Sequence, residues 1–372
     1  MKPILLLGGG KIGETIAVLL ARTGDYAVTV ADHSVDAVGR FSGQAHVATR
    51  IIDAANEDDV ADAARGMFAV VNACPYHLTE RIARAARTVG VHYLDLTEDI
   101  RSTNVVRRIA DGASTAFVPQ CGLAPGFISI VANHLANRFD DLDSVQMRVG
   151  ALPKFPTNAL KYNLTWSTEG LVNEYCQPGE AIVGGRRVET IPLEGLEEFS
   201  LDGVRYEAFN TSGGLGTLCD SYEGRVKAMD YKSVRYPGHC QIMKVLLRDL
   251  GLSARQDLLC QILESSVPAT LQDVVLIFVN VKGRRRGRLL QESHVAKIYD
   301  RRLDDLHFGA IQITTASGVC AVLDLIAVGA LPAAGLIRQE QIDFDAFMAN
   351  RFGRNFRSEE PAAGPGTLGR AA

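Results

Sequence analysis

The sequence has 372 residues, of which 47% are hydrophobic and 22% charged, a composition typical of a globular protein with about two domains. Its formal net charge of −4 gives no reason to expect a nucleic acid or an anionic membrane as a partner. The seven cysteines are odd in number and lack paired spacing, which favours a reducing cytoplasm. The apolar run at residues 4–7 is too short for a signal peptide.

The chain begins with a pattern that predicts a strand, a glycine turn, a helix and a second strand. Glycines at this spacing permit a tight turn and let the backbone approach a pyrophosphate at the start of the helix. Asp32 follows Gly13 by 19 residues, where its carboxylate can accept the ribose hydroxyls and would repel a 2′-phosphate. We therefore expect a Rossmann site for NAD. The residues predicted to contact the cofactor here are Gly8, Gly10, Lys11, Ile12, Gly13 and Asp32.

Strand-like and helix-like segments then alternate up to about residue 126. Strands are predicted at 47–53, 68–73, 91–94 and 115–118, and helices at 57–65 and 77–89. This alternation predicts βαβ units and a parallel sheet, which binds ligands at the carboxyl ends of its strands. The candidates at those ends are Asp53, Asn72, Ala73 and Pro75 for the cofactor, and Asp95, Glu98 and Cys121 for the reaction.

A second domain is predicted after a linking helix at 127–137. Runs at 144–150, 188–192, 274–282 and 289–299 indicate antiparallel strands and an α+β architecture. Polar loops between these runs provide binding-site candidates, although a fixed loop structure explains such residues nearly as well. These candidates are Asn158, Lys161, Tyr162, Arg235 and His239.

Three further segments have simpler interpretations. The basic run at 282–288 predicts an exposed hairpin turn rather than a nucleic-acid patch. The apolar segment at 318–328 predicts a buried helix that packs against the first domain. Residues 357–372, rich in Gly, Pro and Ala, predict a mobile tail.

Several motifs, in this order, resemble the saccharopine dehydrogenase-like family, and within it the bacterial lysine 6-dehydrogenases. They are the glycine turn, DLTE at 95–98, CGLAPG at 121–126, NALKY at 158–162, TWS at 165–167, RYPGH at 235–239 and TASG at 315–318. The resemblance implies an α/β Rossmann domain, built from 1–126 and about 310–356, that carries NAD. It also implies a middle α+β domain at 127–309 that covers the substrate and forms a homodimer or homotetramer.

The same resemblance implies NAD-dependent oxidation of L-lysine, or a close basic amino acid, at its terminal amine. The imine would be hydrolysed to a semialdehyde that can cyclise. Asp95, Glu98 and His239 are the candidate general bases, and His239 is favoured because its ordinary pKa suits the task near neutrality. Arg235 or Lys161 would bind the α-carboxylate, with Asn158 and Tyr162 as neutral donors and Cys121 as a lining residue.

Two other functions stay open. One is reductive condensation of an amine with a keto acid or aldehyde, as in saccharopine or carboxynorspermidine formation. It needs further carboxylate-binding cations, for which Arg186, Arg187 and Arg225 are candidates. The other is a non-catalytic NAD-binding sensor. An amino-acid or polyamine-like small molecule is the expected partner, and no metal site is predicted.

Overall fold

The computed structural model describes residues 1–303 and 305–358. Most of the predicted tail, residues 359–372, lies outside the described residues. The strands are β1 Lys2–Leu7, β2 Tyr26–Asp32, β3 Val47–Ile51, β4 Ala69–Asn72, β5 His92–Asp95, β6 Ala116–Val118, β7 Asp141–Pro153, β8 Gly179–Val183, β9 Arg186–Thr190, β10 Glu197–Leu201, β11 Val204–Asn210, β12 Val226–Arg235, β13 Asp273–Arg285, β14 Arg288–Tyr299, β15 Arg301–Leu303, β16 Leu306–Phe308 and β17 Gly335–Leu336. The α-helices are α1 Lys11–Ala21, α2 Val35–Gly39, α3 Glu57–Ala64, α4 Thr79–Val89, α5 Ile100–Ile109, α6 Phe127–Ala136, α7 Thr168–Cys176, α8 Leu218–Tyr222, α9 His239–Lys244, α10 Gln256–Ser266, α11 Ala310–Ala327 and α12 Phe344–Ala349.

The first sheet is fully parallel, in the order β17-β6-β5-β4-β1-β2-β3. Strand β1, inside this sheet, carries four consecutive fully buried residues, Ile4 to Leu7, because helices cover both faces of a parallel sheet. The predicted α/β fold with a Rossmann sheet and a second domain is confirmed. The segment that supplies β17 comes from beyond the second sheet and extends the first sheet beside β6.

The second sheet runs β10-β11-β12-β7-β13-β14, with β8 and β9 attached beside β12. Its pairs are antiparallel except for β7 and β12, which are parallel. The runs predicted at 144–150, 188–192, 274–282 and 289–299 make the expected antiparallel pairs, whereas β12, which was not predicted from the sequence, lies parallel to β7. Strands β13 and β14 form a hairpin whose two turn residues, Arg286 and Gly287, have φ of +52° and +75°. The basic run thus forms the predicted hairpin turn.

Helix α11 is the apolar helix predicted at 318–328, but it begins at Ala310. The Asp273 carboxylate accepts hydrogen bonds from the backbone N–H groups of Ala310 and Ile311. A cap supplied by a residue so distant in sequence gives no local signal for the start of the helix. The helix is long and apolar enough to cross a membrane. However, 89% of it is buried inside the fold, where it packs against α1 and β13.

The polar group on α11 that ties the two ends of the chain together is Asp324. Its carboxylate accepts hydrogen bonds from Tyr26 Oη at 2.6 Å, Arg351 Nη2 at 2.7 Å and Asn350 Nδ2 at 2.8 Å. Burial opposes its ionisation, but the hydrogen bonds from Arg351, Tyr26 and Asn350 lower the pKa of Asp324 below 3.8. The carboxylate is thus ionised at neutral pH, and its contribution to stability is lost only in stronger acid.

We expect Asp324→Ala to lower the free energy of unfolding by about 3 kcal/mol, because a buried carboxylate is removed from its cationic and phenolic partners. Urea denaturation followed by circular dichroism measures the change. Asp25→Ala is the matched control, since it removes the exposed partner of the same arginine, Arg351, and should cost less than about 1 kcal/mol. Equal losses in the two variants would contradict this account.

Candidate functional site

A cleft of about 250 Å³ lies between the carboxyl ends of the first sheet and one face of the second sheet. Four segments of the first domain line the cleft. These are Ile12 in the glycine turn, Ala73 to Tyr76 after β4, Leu96 to Glu98 after β5, and Gly122 to Pro125 after β6. Helix α11 adds Ile311 and Thr315. The cleft therefore lies where a parallel sheet binds its ligand.

The second sheet contributes one wall of the cleft through the parallel pair β7 and β12. Tyr231, Ser233 and Arg235 alternate along β12 and so share one face, and Val149 and Ala151 do the same on β7. Arg235 is the last residue of β12, rather than part of a loop as the sequence analysis assumed. A strand fixes its position more firmly than a loop would.

Helix α7 supplies the rest of this wall. Ser167 caps it by accepting a hydrogen bond from Gly170 N at 3.1 Å, and Gly170 and Glu174 follow on the same helical face. A Cβ on Gly170 would lie 2.5 Å from the Trp166 ring, so this glycine lets the indole pack against the helix and line the cleft. Glu174 is thereby directed inward.

The glycine turn fits a dinucleotide. Gly8 has φ of +98°, and a Cβ on Gly13 would lie 1.9 Å from Gly8 O, so both residues must be glycine for the turn to close. A Cβ on Gly10 would meet nothing within 4 Å, which leaves open space in front of the first turn of α1. The unpaired N–H groups of that turn are the usual ligands of a pyrophosphate.

Asp32 ends β2 beside this turn, as predicted. Its Oδ2 accepts a hydrogen bond from Gly9 N at 2.8 Å, and its Oδ1 accepts one from Ser34 N at 2.9 Å. The exposed Arg40 donates from Nη2 to Gly9 O at 2.7 Å, so a cation also stands near the position expected for the adenosine ribose. The sequence analysis did not consider this arginine.

The other predicted cofactor residues fall into two groups. Ala73 and Pro75 line the cleft. Asn72 is buried and structural, because it donates to Tyr93 Oη at 3.2 Å and accepts from Cys74 N at 2.9 Å. Asp53 is exposed beyond β3 and accepts a hydrogen bond from Ala55 N. For Asn72 and Asp53 the geometry shows local turn contacts and gives no support to a cofactor role.

Two carboxylates face the cleft with pKa values shifted toward neutrality. Burial, reinforced by the charges of nearby acids, raises the pKa of Glu98 to about 7. Burial and the charge of Glu98 raise the pKa of Glu174 to about 8, against the opposing charge of Arg235. Groups that titrate near neutral pH are suited to proton transfer.

The glycine-rich segment at 212–216 packs against Glu98 and Tyr231, two residues that line the cleft. A Cβ on Gly213 would lie 2.4 Å from Glu98 O, and one on Gly214 would lie 2.2 Å from the Tyr231 ring. The backbone of this loop therefore packs directly against the Glu98 segment and against the aromatic wall of the cleft. Larger residues at either position would displace them.

Arg235 is a buried cation, with 3% of its surface exposed. Its Nε donates to Tyr175 Oη at 2.9 Å and its Nη1 to Val234 O at 2.8 Å. Among the described residues no carboxylate lies within 4.0 Å of its guanidinium nitrogens. A buried arginine without an anionic partner in the protein is suited to bind the carboxylate of a ligand.

The structure does not support the preference for His239 as the base. The residue is fully buried and does not line the cleft. Its Nδ1 donates to Leu160 O at 2.9 Å, and its Nε2 accepts from Tyr175 Oη at 3.0 Å, so neither nitrogen is available. Burial and the charge of Arg235 lower the pKa of His239 to about 3. It is a neutral group that orients Tyr175, which in turn holds Arg235.

Asp95 also lies outside the cleft lining. Its buried carboxylate accepts hydrogen bonds from Tyr93 Oη at 2.9 Å, Gln120 N at 2.9 Å and Thr97 N at 3.1 Å. Burial raises the pKa of Asp95 to about 6 despite these bonds. The residue therefore joins the ends of β5 and β6 and positions the loop that carries Glu98.

Four further residues predicted to bind substrate do not line the cleft and instead stabilise the local structure. Cys121 is buried, with its Sγ donating to Val118 O, and burial raises its pKa well above the ordinary value. Asn158 bonds to the backbone of Tyr162, and Lys161 donates from Nζ to Pro237 O at 2.9 Å. Tyr162 is buried, with its ring beneath the Arg235 guanidinium.

Several lining residues were not identified from the sequence, chiefly Glu174, Glu169, Tyr231 and Ser233. The one available signal was the alternation of polar and aromatic residues at 231, 233 and 235 along a strand. Within the described residues, no group of three His, Cys, Asp or Glu side chains is placed to hold a metal ion.

Comparison with known proteins gives a consistent result. The profile of the saccharopine dehydrogenase NADP binding domain matches residues 4–116, and that of the saccharopine dehydrogenase C-terminal domain matches residues 122–358. Apo saccharopine dehydrogenase (L-Glu forming) from Saccharomyces cerevisiae superposes with a TM-score of 0.78 at 15% identity, covering 94% of this chain and 96% of that one.

Two curated relatives are mitochondrial alpha-aminoadipic semialdehyde synthases. The Rattus norvegicus protein is 22% identical over 194 residues and the Bos taurus protein 20% over 199, or 50% and 51% of this chain. The matched region spans only 21% of the length of each relative.

The two family profiles together cover most of the sequence, and a nicotinamide dinucleotide fits the glycine turn. The chain therefore belongs to the saccharopine dehydrogenase family of oxidoreductases.

Proposed function

We propose that the chain is an NAD-dependent amine dehydrogenase that oxidises L-lysine, or a close basic amino acid, at its terminal amine. The observation that carries the proposal is the composition of the cleft lining, which among the described residues contains one arginine, Arg235, and three carboxyl groups, those of Glu98, Glu169 and Glu174. Lysine carries two ammonium groups and one carboxylate, so its charges complement this lining.

Glu98 is the proposed base. It belongs to the first domain, at the strand ends beside the glycine turn, and its pKa of about 7 leaves much of it ionised at neutral pH. Its carboxylate takes a proton from the substrate ammonium, which must be neutral before the adjacent carbon can lose a hydride. When bound, the nicotinamide accepts that hydride. Water then hydrolyses the imine to the aldehyde and ammonium.

Arg235 is the proposed anchor for the α-carboxylate, held by Tyr175 and Val234 at the opposite wall. The bond from Tyr175 and the neutral His239 behind it keep the guanidinium in one orientation. Fixing the carboxylate places the far end of the substrate near Glu98, which is the contribution of orientation to catalysis. The side chains that would hold the dinucleotide are those of the glycine turn with Asp32, Ala73 and Pro75.

The NAD preference rests on Asp32. We expect the chain to bind NAD at least about tenfold more tightly than NADP, because the Asp32 carboxylate repels a 2′-phosphate. Asp32→Ser should remove most of this preference, since it leaves Arg40 to attract the phosphate. Fluorescence titration with both reduced cofactors measures the ratio. Asp36→Ser, an equal loss of charge on the nearby exposed helix α2, should leave the ratio unchanged; equal wild-type affinities would refute the proposal.

Reversible cleavage of saccharopine is the second candidate, and the family membership favours it. Saccharopine carries three carboxylates, and among the described lining residues only Arg235 is cationic. The three arginines considered for this role lie elsewhere. Arg187 pairs with Asp220 and Glu180, Arg225 stacks on Tyr222, and Arg186 lies at the exposed end of β9. The charge balance therefore favours lysine.

A substrate panel separates these candidates. The purified chain is incubated with NAD or NADP and with L-lysine, L-ornithine, cadaverine or saccharopine, and reduction of the cofactor is followed by absorbance. The proposal predicts reduction with L-lysine and not with saccharopine. Turnover of saccharopine alone would establish the second candidate, and cofactor binding without turnover on any amine would indicate a sensor.

We further propose a cytoplasmic homodimer or homotetramer. Light scattering of the purified chain would test the number of subunits.

A further inference from the structure

Glu174 and Arg235 are a buried acidic and a buried basic side chain that do not touch. Their exposed fractions are 8% and 3%, and both side chains line the cleft. Each influences the ionisation of the other, but among the described residues the structure has no ion pair between them within 4.0 Å. We call them the Glu174–Arg235 pair.

Neither member of the pair has an oppositely charged partner within 4.0 Å among the described residues. The Glu174 side chain makes no hydrogen bond with any described residue, and only its backbone oxygen is used, by Ser212 N at 3.1 Å. Within the described part of the chain, Arg235 bonds only to a tyrosine hydroxyl and a backbone carbonyl. Buried charged groups normally have ionic or hydrogen-bonding partners, because leaving them unpaired costs several kcal/mol. A ligand with both charges would satisfy this site.

We propose that the Glu174–Arg235 pair binds the α-ammonium and α-carboxylate of a free amino acid, so that the cleft selects α-amino acids over amines that lack either group. This proposal rests on the proposed function only in taking the terminal amine of the substrate as the group that reacts. The ammonium and carboxylate of an α-amino acid are attached to one carbon, and they match an acidic and a basic side chain that face the same cavity without contact.

The supporting framework is rigid. Glu174 lies on α7 at the helical face shared with Ser167 and Gly170, and Arg235 ends a strand paired on both sides. Glu98 stands on the first domain, so the amine that reacts and the head group that is recognised are held by different domains. The charge of Glu98 also opposes ionisation of Glu174, and an arriving ammonium would offset that effect.

L-norleucine is the probe that tests the pair, because it has the head group and carbon skeleton of lysine without the terminal amine. It is titrated by calorimetry into the chain saturated with NAD⁺, beside hexanoate, which lacks the α-amine, and pentylamine, which lacks the carboxylate. We expect both truncated ligands to bind at least about 30-fold more weakly than L-norleucine. The proposal would be overturned if hexanoate or pentylamine bound with an affinity within about threefold of that of L-norleucine, or if L-norleucine did not bind.

Variants add a second test. Glu174→Gln should weaken L-norleucine at least about tenfold and leave hexanoate unchanged, whereas Glu80→Gln, an equal change on the exposed face of α4, should alter neither affinity. Circular dichroism confirms that each variant is folded, and the ligand series on the unmodified chain needs no variant. Unchanged L-norleucine affinity in folded Glu174→Gln would refute the role of Glu174.

The two proposals fail separately. If L-norleucine binds as expected but L-lysine is not oxidised, the pair stands and the reaction is another one on an α-amino acid. If L-lysine is oxidised but cadaverine and 6-aminohexanoate react with similar kcat/KM, the reaction stands and the pair does not select the head group.

Discussion

Glu98→Gln is expected to lower kcat for L-lysine by about 10² to 10⁴, the usual contribution of a general base. The substitution keeps the shape of the side chain and removes its ability to accept a proton. Because burial raises the pKa of Glu98 to about 7, kcat/KM of the unmodified chain should rise as pH increases through this value, as the carboxylate ionises. Steady-state kinetics from pH 6 to 9 measures both effects.

In Glu98→Gln that limb of the pH profile should disappear, while the affinity for L-norleucine changes little. Glu80→Gln is the control, since it makes the same chemical change at an exposed residue that pairs with the exposed Arg84 on α4. A Glu98→Gln variant that keeps more than about a tenth of the wild-type kcat would show that another group takes the proton.

Gly13→Ala and Gly10→Ala are expected to act on cofactor binding in different ways. A Cβ on Gly13 would lie 1.9 Å from Gly8 O, so this variant must distort the turn and should lose both stability and dinucleotide binding. A Cβ on Gly10 meets nothing within 4 Å, so this variant should fold normally and weaken the dinucleotide by about tenfold or more, through direct obstruction alone.

Thermal unfolding and fluorescence titration with NADH separate the two effects. Gly39→Ala is the control, because Gly39 stands in α2 with open space around its Cβ position and should change neither quantity. If Gly10→Ala bound the dinucleotide as tightly as the unmodified chain, the pyrophosphate could not lie against this turn.

The first domain was predictable because its signals are local. Strands β1, β2 and β4 contain short apolar runs, and the glycine turn imposes its geometry on adjacent residues. The start of α11 was not, since its cap is Asp273 from another strand. The parallel pairing of β7 with β12 likewise depends on contacts between segments far apart in sequence.

The site shows the same division. Glu98 was identified from polar residues after a predicted strand and Arg235 from a polar segment around a Pro-Gly turn, and both line the cleft. His239 was favoured for its ordinary pKa, but its burial and the bonds from Tyr175 and to Leu160 arise only on folding. Glu174 was missed because no helix was predicted at 168–176, and only tertiary packing turns this side chain toward the cleft.

The central claim is that this cleft removes a hydride from the carbon that bears the terminal amine of lysine. The most direct measurement uses L-lysine deuterated at C6, NAD⁺ and the purified chain, with mass spectrometry of the reduced cofactor and an assay for ammonium. The account predicts one deuterium in each reduced cofactor and one ammonium released for each. Reduced cofactor without deuterium, or reduction that requires saccharopine in place of lysine, would contradict it.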